Sequence, residues 1–309
     1  MSWEAYIFHT IFQRKFGRIK IMKRLALLLA AMGIVTVGAA AAELKVTNFG
    51  QSIEIENTSG KTQGDIGDTW FWNNLGMTYG DWTFGAQFGK MWTLDSDDGV
   101  QGNNGRVQLS AIRNYGNYYL GVKTRMQQNY DRYHLLAGWN YGEFYGDFDV
   151  YYQSNQGKSK VDPDSFRYEI FPVGVKFGDY KVAWFVEGHE SVGSKNVGKE
   201  ESYITHQLRF YAPLYKGEKL SLNTEYRLTL MEDQDKYQKA DPYTTAKDFG
   251  RHRLYLKSSY AVTDSLSVFL NYGYQISDFE GNSETKTDKA PVDSKKYWGD
   301  VEFGWNYKF

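Results

Sequence analysis

The sequence predicts an all-β fold, a transmembrane antiparallel up-and-down β-barrel of fourteen strands over residues 43–309. Three observations predict it. In residues 297–309, Tyr297, Gly299, Val301, Phe303, Trp305, Tyr307 and Phe309 occupy every second position, with Trp298, Asp300, Glu302, Gly304, Asn306 and Lys308 between them. In a strand these two sets face opposite ways, one toward hydrocarbon and one toward water. Aromatic residues make up 17% of the chain, with 25 Tyr and 9 Trp, yet the mean hydropathy is only −0.58. Disordered chains lack such aromatics and helical membrane proteins are far more apolar, whereas a barrel wall is half polar and carries aromatic girdles. The third observation is that alternating segments from Glu43 onward are joined by connections that are, in turn, short and long.

The N-terminus reads differently. Met22-Lys23-Arg24 is a basic start, residues 25–37 are an apolar core and Ala40-Ala41-Ala42 is a small-residue cleavage site, the pattern of a secretory signal peptide over residues 22–42. The apolar run is too short and wrongly flanked for a retained spanning helix. Residues 1–21 fit no part of that pattern and are expected to be an extension from a mis-assigned start. The first 42 residues hold six of the 36 Lys and Arg and one of the 37 Asp and Glu, which leaves a net charge of about −6 on the remainder. An acidic, exported chain is not expected to bind nucleic acid. Without cysteine, disulfides and thiolate chemistry are excluded. No later apolar run is long enough for a spanning helix, so a membrane crossing has to be made by strands.

The short connections are Tyr79-Gly80-Asp81, 114–117, Tyr141-Gly142-Glu143, Phe177-Gly178-Asp179, 216–219 and Thr263-Asp264-Ser265, rich in the Gly, Asp and Asn of tight hairpins. The outer connections are 58–67, 95–105, 154–165, 192–201, 232–249 and 281–295, with a short one at 128–131. Six turns and seven outer loops make fourteen strands, with both ends on the periplasmic side.

Faces are clearest in the last third. Leu208, Phe210 and Ala212 alternate with Gln207, Arg209 and Tyr211; Leu222, Thr224, Tyr226, Leu228 and Leu230 with Ser221, Asn223, Glu225, Arg227 and Thr229. Leu254, Leu256 and Tyr260 alternate with Arg253, Tyr255, Lys257 and Ser259, and the 266–276 segment repeats the period. A soluble sheet alternates too, but its apolar face must meet a second apolar layer, and no helix is available to supply one. Earlier segments repeat the pattern: Leu120, Val122 and Met126 oppose Lys123, Arg125 and Gln127, and Leu135 and Ala137 oppose His134 and Gly138. Pro172 marks a bulge or a rim position, and Lys90 a similar irregularity. The last segment must pair with the first, 45–57, to abolish the sheet edges. Asp300 and Glu302 then stand beside Glu54 and Glu56, an acidic seam expected to face a basic wall on the ninth to twelfth strands.

Charges on the inward parity are the candidate pore lining. The basic set is Arg106, Lys123, Arg125, Arg167, Lys181, Arg209, Arg227, Arg253 and Lys257, and the acidic set is Glu54, Glu56, Asp147, Asp149, Glu169, Glu187, Glu225, Asp300 and Glu302. Buried charges need partners or water. They form either ion pairs that fill the lumen or the wall of a wet channel. Eight strands are filled by side chains and sixteen to eighteen leave a wide channel, so fourteen favour an open aqueous pore. Mixed signs point to weak ion selectivity.

Several stretches resemble the outer-membrane porin G family. They are Glu54-Ile55-Glu56-Asn57, Arg113-Asn114-Tyr115-Gly116, Glu169-Ile170-Phe171-Pro172 with Val175-Lys176, Leu208-Arg209-Phe210-Tyr211-Ala212-Pro213-Leu214, Asp248-Phe249 through Arg253, and Leu266-Ser267-Val268. The resemblance implies a monomeric fourteen-stranded channel of low selectivity, with Arg209 and Arg253 as lumen arginines. It also implies a sixth outer loop, 232–249, able to fold over the pore, with Glu232, Asp233, Lys247 and Asp248 as candidate gating residues. The family's gating histidine pair is absent: the matching positions hold Lys247 and Phe279, and His252 points outward alone. The partners expected are outer-membrane lipid and lipopolysaccharide, small hydrophilic solutes, and the barrel-assembly machinery that reads a terminal phenylalanine, here Phe309.

Other functions find less support in the residues. His134, His189, His206 and His252 are scattered and none sits in a nucleophile motif, so no catalysis is expected; Glu187, His189 and Glu190 are the nearest approach to an acid/base cluster. No spacing repeats a known metal site, and no cofactor is implied. An acidic-oligosaccharide channel is the alternative, with Tyr119, Tyr151, Tyr211 and Tyr255 stacking on sugar rings. A surface adhesin on a barrel scaffold is the other.

Overall fold

The computed structural model describes residues 43–58, 67–95, 99–156, 162–192, 201–236, 244–281 and 294–309. The proposed signal peptide and start extension lie outside the described residues. Fourteen strands follow one another: β1 (Lys45–Thr58), β2 (Gly67–Tyr79), β3 (Trp82–Asp95), β4 (Gly99–Asn114), β5 (Tyr118–Gln127), β6 (Tyr130–Tyr141) and β7 (Phe144–Asn155). The second half is β8 (Asp164–Phe177), β9 (Tyr180–Val192), β10 (Glu201–Lys216), β11 (Leu220–Lys236), β12 (Thr244–Ala261), β13 (Leu266–Gly281) and β14 (Ser294–Lys308). Each strand pairs antiparallel with its neighbours in sequence, and β14 pairs with β1, so the sheet closes into a barrel. The expected fold class is the observed one.

The tight turns form where their residues allow it. Gly80, Gly142 and Gly178 lie at φ +54°, +61° and +63°, the left-handed region that two-residue hairpins need. The opposite ends differ from the sequence reading in two places. Asp95 pairs with Gly99, so β4 runs through most of the expected 95–105 loop. Strands β11 and β12 likewise extend through much of 232–249, which shortens that connection to 237–243. Backbone pairing wins there because polar side chains on both faces cost nothing in a strand that stands in water. The longest connection becomes 282–293, between β13 and β14.

Burial is inverted relative to a soluble protein. Leu135, Leu214, Leu254, Leu270 and Val122 on the outer wall are more than half exposed, whereas Ser52, Thr205, Gln207, Glu225 and Thr229 on the inner wall are buried. Such an outer surface is far larger than the apolar patches a soluble monomer tolerates, and it suits hydrocarbon. Polar side chains on that face find each other: the Gln51 amide donates to Asn73 Oδ1 at 2.8 Å. Irregularities fall where expected. The pairing of β8 shifts between Ile170 and Val173, at Pro172, and the β3–β4 pairing shifts between Met91 and Trp92, beside Lys90.

The seam depends on Gly304. A Cβ there would collide with the Gln51 carbonyl oxygen and the Ser52 backbone on β1, which cannot swing aside. The variant Gly304→Val is expected to lose about 1–3 kcal/mol or more of stability. The measurement is the urea midpoint of tryptophan fluorescence of refolded protein, which should fall.

Candidate functional site

The inner wall is built from register. Ala183, Arg209, Arg227, Arg253, Gln275 and Trp298 lie directly opposite one another across β9 to β14, forming one continuous row. A second row crosses β4 to β7 as Gln108, Arg125, Arg132 and Gln153. Between these rows, Asp149, Glu169 and Glu187 are opposite one another on β7, β8 and β9. At the seam, Glu54 faces Glu302 and Glu56 faces Asp300. The dominant charge therefore alternates twice around the barrel, although β8, β9 and β11 each carry both signs.

This arrangement corrects the expected field. In a ring of fourteen strands the acidic seam of β14 and β1 stands across from β7 and β8, which are also acidic. The basic row on β10–β12 lies only two strands from the seam, and a second basic group, Arg106, Lys123, Arg125 and Arg132, lies on the other side. The inner wall is quadrupolar rather than a simple acid-to-base gradient.

Each predicted lining residue sits on the inward parity, but the residues differ in how their charge is met. Lys123 Nζ and His134 Nδ1 both bond Asp149, whose other neighbour on the strand, Asp147, accepts from Tyr119 OH at 2.6 Å. Glu225 accepts from Arg227 Nε at 2.5 Å and from Lys257 Nζ at 2.6 Å. Arg167 donates Nε to Ser165 Oγ at 2.8 Å. At the seam, Glu54 accepts from Trp72 Nε1 at 2.7 Å and Glu302 from Asn271 Nδ2 at 3.2 Å. Carboxylate oxygens of Glu54, Glu56 and Asp300 lie within 4.8 Å of one another, near enough to share a cation.

Aromatic residues on the inner wall are the largest omission from the sequence reading. Trp70 and Trp72 stack at 4.5 Å, and the Arg106 guanidinium lies over both, at 4.7 and 5.0 Å. Gly89 makes room for the Trp72 ring, which a Cβ would strike. Trp298 carries Arg253 at 4.3 Å, and Phe185 and Phe171 carry Arg209 at 3.4 and 5.3 Å. Arg132, over Tyr130 at 4.5 Å and Tyr151 at 4.9 Å, shares the parity of His134, and that was its signal in the sequence. Phe71 between Trp70 and Trp72 made either face of β2 read as aromatic, so no alternation could select the inner one.

Three of the four tyrosines expected to stack on sugars have partners in the wall. Tyr151 is only 5% exposed and donates its hydroxyl to Glu169, Tyr119 donates to Asp147, and the Tyr255 ring has Arg227 and Lys257 over it at 4.8 and 5.3 Å. Of the acid/base cluster, Glu187 and His189 stay on the inner face, where Glu187 accepts from Tyr203 OH at 3.1 Å and His189 stacks on the same ring at 5.7 Å, while Glu190 is exposed on the opposite face. His252 points outward, as expected, with its Nδ1 2.7 Å from Tyr226 OH.

Among the candidate gating residues, Glu232 has a defined post. Strict alternation would point it outward with Leu230, but the β10–β11 pairing passes from Thr229 to Met231 and skips Leu230. This bulge turns Glu232 inward and leaves Asp233 exposed on the outer face. Glu232 then accepts from Arg251 Nη1 at 2.8 Å, from the Ala246 backbone N–H at 3.0 Å and from Thr205 Oγ1 at 3.2 Å. Residues 247–250, including Lys247 and Asp248, are looped out between those two anchors, because Ala246 pairs with Phe279 and Arg251 with Ser277. Phe249 inside this loop has φ +57°, a strained value for a residue with a side chain.

No family model matches the chain, and no curated protein matches it significantly. Several solved structures are similar. An anion-selective porin from Comamonas acidovorans is 13% identical, with a TM-score of 0.44 over 86% of this chain and 100% of that one. A bacterial polysaccharide outer membrane secretin is 9% identical, with a TM-score of 0.49 over 84% and 98%. The outer membrane channel DcaP of Acinetobacter baumannii is 11% identical, with a TM-score of 0.42 over 88% and 99%. Identity this low carries no residue of those proteins over to this chain.

Removing the Glu232 carboxylate takes one ion-pair partner from Arg251 and the acceptor from the Ala246 N–H. The variant Glu232→Ala is expected to lose about 1–3 kcal/mol locally, the scale for leaving a buried N–H without its acceptor. Limited proteolysis should show faster cleavage near residues 244–251 with the barrel itself intact.

Proposed function

We propose that the protein is a porin of the bacterial outer membrane, a monomeric aqueous channel for passive diffusion of ions and small hydrophilic solutes such as sugars. The observation that carries this reading is the state of the inner charges. Arg106, Arg125, Arg132 and Arg253 are partly exposed to the lumen, and none has a carboxylate within ion-pair distance among the described residues. Ionised groups of this kind are stable only with water in reach, so the lumen is wet. An apolar outer wall, a closed sheet and a wet interior together make a channel when the membrane is crossed. The short-turn end is then periplasmic and the other end extracellular.

The stretches that resemble the porin G family supply the monomeric state and low size selectivity in this reading. Its pH-gated step is not carried over, since Lys247 and Phe279 stand where the two histidines would be. Lipid and lipopolysaccharide surround the outer wall, and Phe309 addresses the chain to the assembly machinery. Chemistry on the solute is not part of the reading, because Glu190 lies across β9 from His189, and Glu187 and His189 are both engaged with Tyr203.

Folded, heat-modifiable protein in planar bilayers should give discrete single-channel steps, and liposomes carrying it should swell in mono- and disaccharides. Absence of conductance from folded protein would sink the proposal. A channel with one histidine-controlled step would close sharply between about pH 7.5 and 5.5. Conductance here is expected to change gradually across that range.

A further inference from the structure

The arginines on the inner wall share a construction that general diffusion does not require. Arg106 donates its Nε to Gln127 Oε1 at 2.9 Å, Arg125 to Gln108 at 3.0 Å, Arg132 to Gln153 at 2.8 Å and Arg253 to Gln275 at 2.7 Å. In all four cases the glutamine is the residue directly opposite on the next strand. Arg209 does the same with Gln207, two residues away on its own strand, at 3.1 Å. A glutamine oxygen fixes the guanidinium without neutralising it, whereas a carboxylate would do both. Four of the five also lie over aromatic rings, which hold the plane of the guanidinium.

The placement is costly without a further role. Arg209, Arg227 and Arg253 are direct cross-strand neighbours, as are Arg125 and Arg132, and like charges directly opposite destabilise a sheet. Among the described residues, only Arg227 of these is offset by a carboxylate, Glu225. Arg209 is 8% exposed and has a neutral partner, so a buried positive charge stands in the wall without a counter-charge in contact. Neighbouring strands are about 4.8 Å apart, and strands of a membrane barrel tilt by about 35–45°, so each row climbs obliquely along the channel wall. A solute moving through meets the guanidiniums in succession.

We propose that these two arginine rows are binding tracks for organic oligoanions, solutes that carry several carboxylates on one chain, with acidic oligosaccharides as the fitting class. The Nε of each of these five guanidiniums is spent on glutamine, and ring contacts set the plane of all but Arg125. Arg253 also gives Nη1 to Tyr255 OH at 3.1 Å, and the Nη hydrogens that remain are the ones to take a carboxylate, the partner arginine favours. The inference rests on the pore reading and adds a preference to it. Glutamine opposite arginine is the device: it positions the charge and keeps it available.

The test uses the full-length protein and trigalacturonate as the oligoanion. Citrate, sulfate and neutral maltotriose are the comparison probes. Intrinsic tryptophan fluorescence reads binding without requiring conduction, since Trp298 and the Trp70–Trp72 pair lie against Arg253 and Arg106. Planar bilayers read current block and the reversal potential in a KCl gradient. Trigalacturonate is expected to bind and block at about tenfold lower concentration than maltotriose, with sulfate the weakest anion. The double variant Arg209→Gln and Arg253→Gln, with unchanged heat modifiability, should lose about tenfold in trigalacturonate affinity, the scale of a charge-assisted hydrogen bond, and shift its reversal potential toward cations. Single variants Gln207→Leu and Gln275→Leu keep every charge and should weaken trigalacturonate more than sulfate, because they release the guanidinium from its fixed plane. Equal block by trigalacturonate and maltotriose, or a double variant with unchanged affinity, overturns the proposal while leaving the pore intact. Fluorescence binding without any conductance would instead count against the pore and preserve the track.

Discussion

Pairing of β1 with β14 is the interaction on which the rest of the barrel depends. An open sheet of this length would expose two edges of unpaired backbone, which hydrocarbon does not tolerate. Closure also creates an inside and an outside, and the period of two along each strand then sorts every side chain between them. The seam is held by backbone register from Asn48 with Lys308 to Thr58 with Trp298, and the approach of the strands is close enough that Gly304 admits no side chain. Its inward residues are acidic, so the same contact that completes the wall also places four carboxylates together on it.

The inner wall resolves its charges in two distinct ways. Asp149, Glu225 and Glu232 each gather one or two cations and become fixed, compact nodes. Arg106, Arg125, Arg132, Arg209 and Arg253 are instead held by amides, and all but Arg125 by rings as well, which restrains geometry and leaves charge uncancelled. The first device favours stability, because a buried ion with its hydrogen bonds complete is not stranded. The second favours interaction with whatever enters the lumen. Their alternation around the ring gives the channel two positive and two negative strips rather than one field across it.

Fold class was legible in the sequence because the relevant signal is local. Alternation in segments such as 208–212 and 253–260, and the Gly-containing turns at Gly80, Gly142 and Gly178, each need only a few residues to be read. The charges of the inner wall were legible for the same reason. Their grouping was not, since Arg209, Arg227 and Arg253 become neighbours only through the register of three strands, and no spacing along the chain reveals it. Aromatic residues misled in both directions. Trp70 and Trp72 flank Phe71, so parity was silent on β2, and the inward tyrosines looked open although Tyr151 and Tyr119 spend their hydroxyls on carboxylates. Glu232 was assigned to the right segment, yet the one-residue shift at Leu230 that turns it inward leaves no mark in the sequence.

That shift has a genetic consequence. Leu230 has no partner on β10, where His206 pairs with Met231 and Gln207 with Thr229. Excising its codon would close the ladder at that point, with Met231 still outward and Glu232 still inward. Excising the codon of Leu208 on the facing strand has no such reserve. There every residue toward the start of β10 would change sides, sending the hydroxyl of Thr205 into lipid and His206 into the lumen. The two neighbouring leucines differ little in chemistry, yet in-frame loss of one is absorbed by the bulge and loss of the other inverts half a strand.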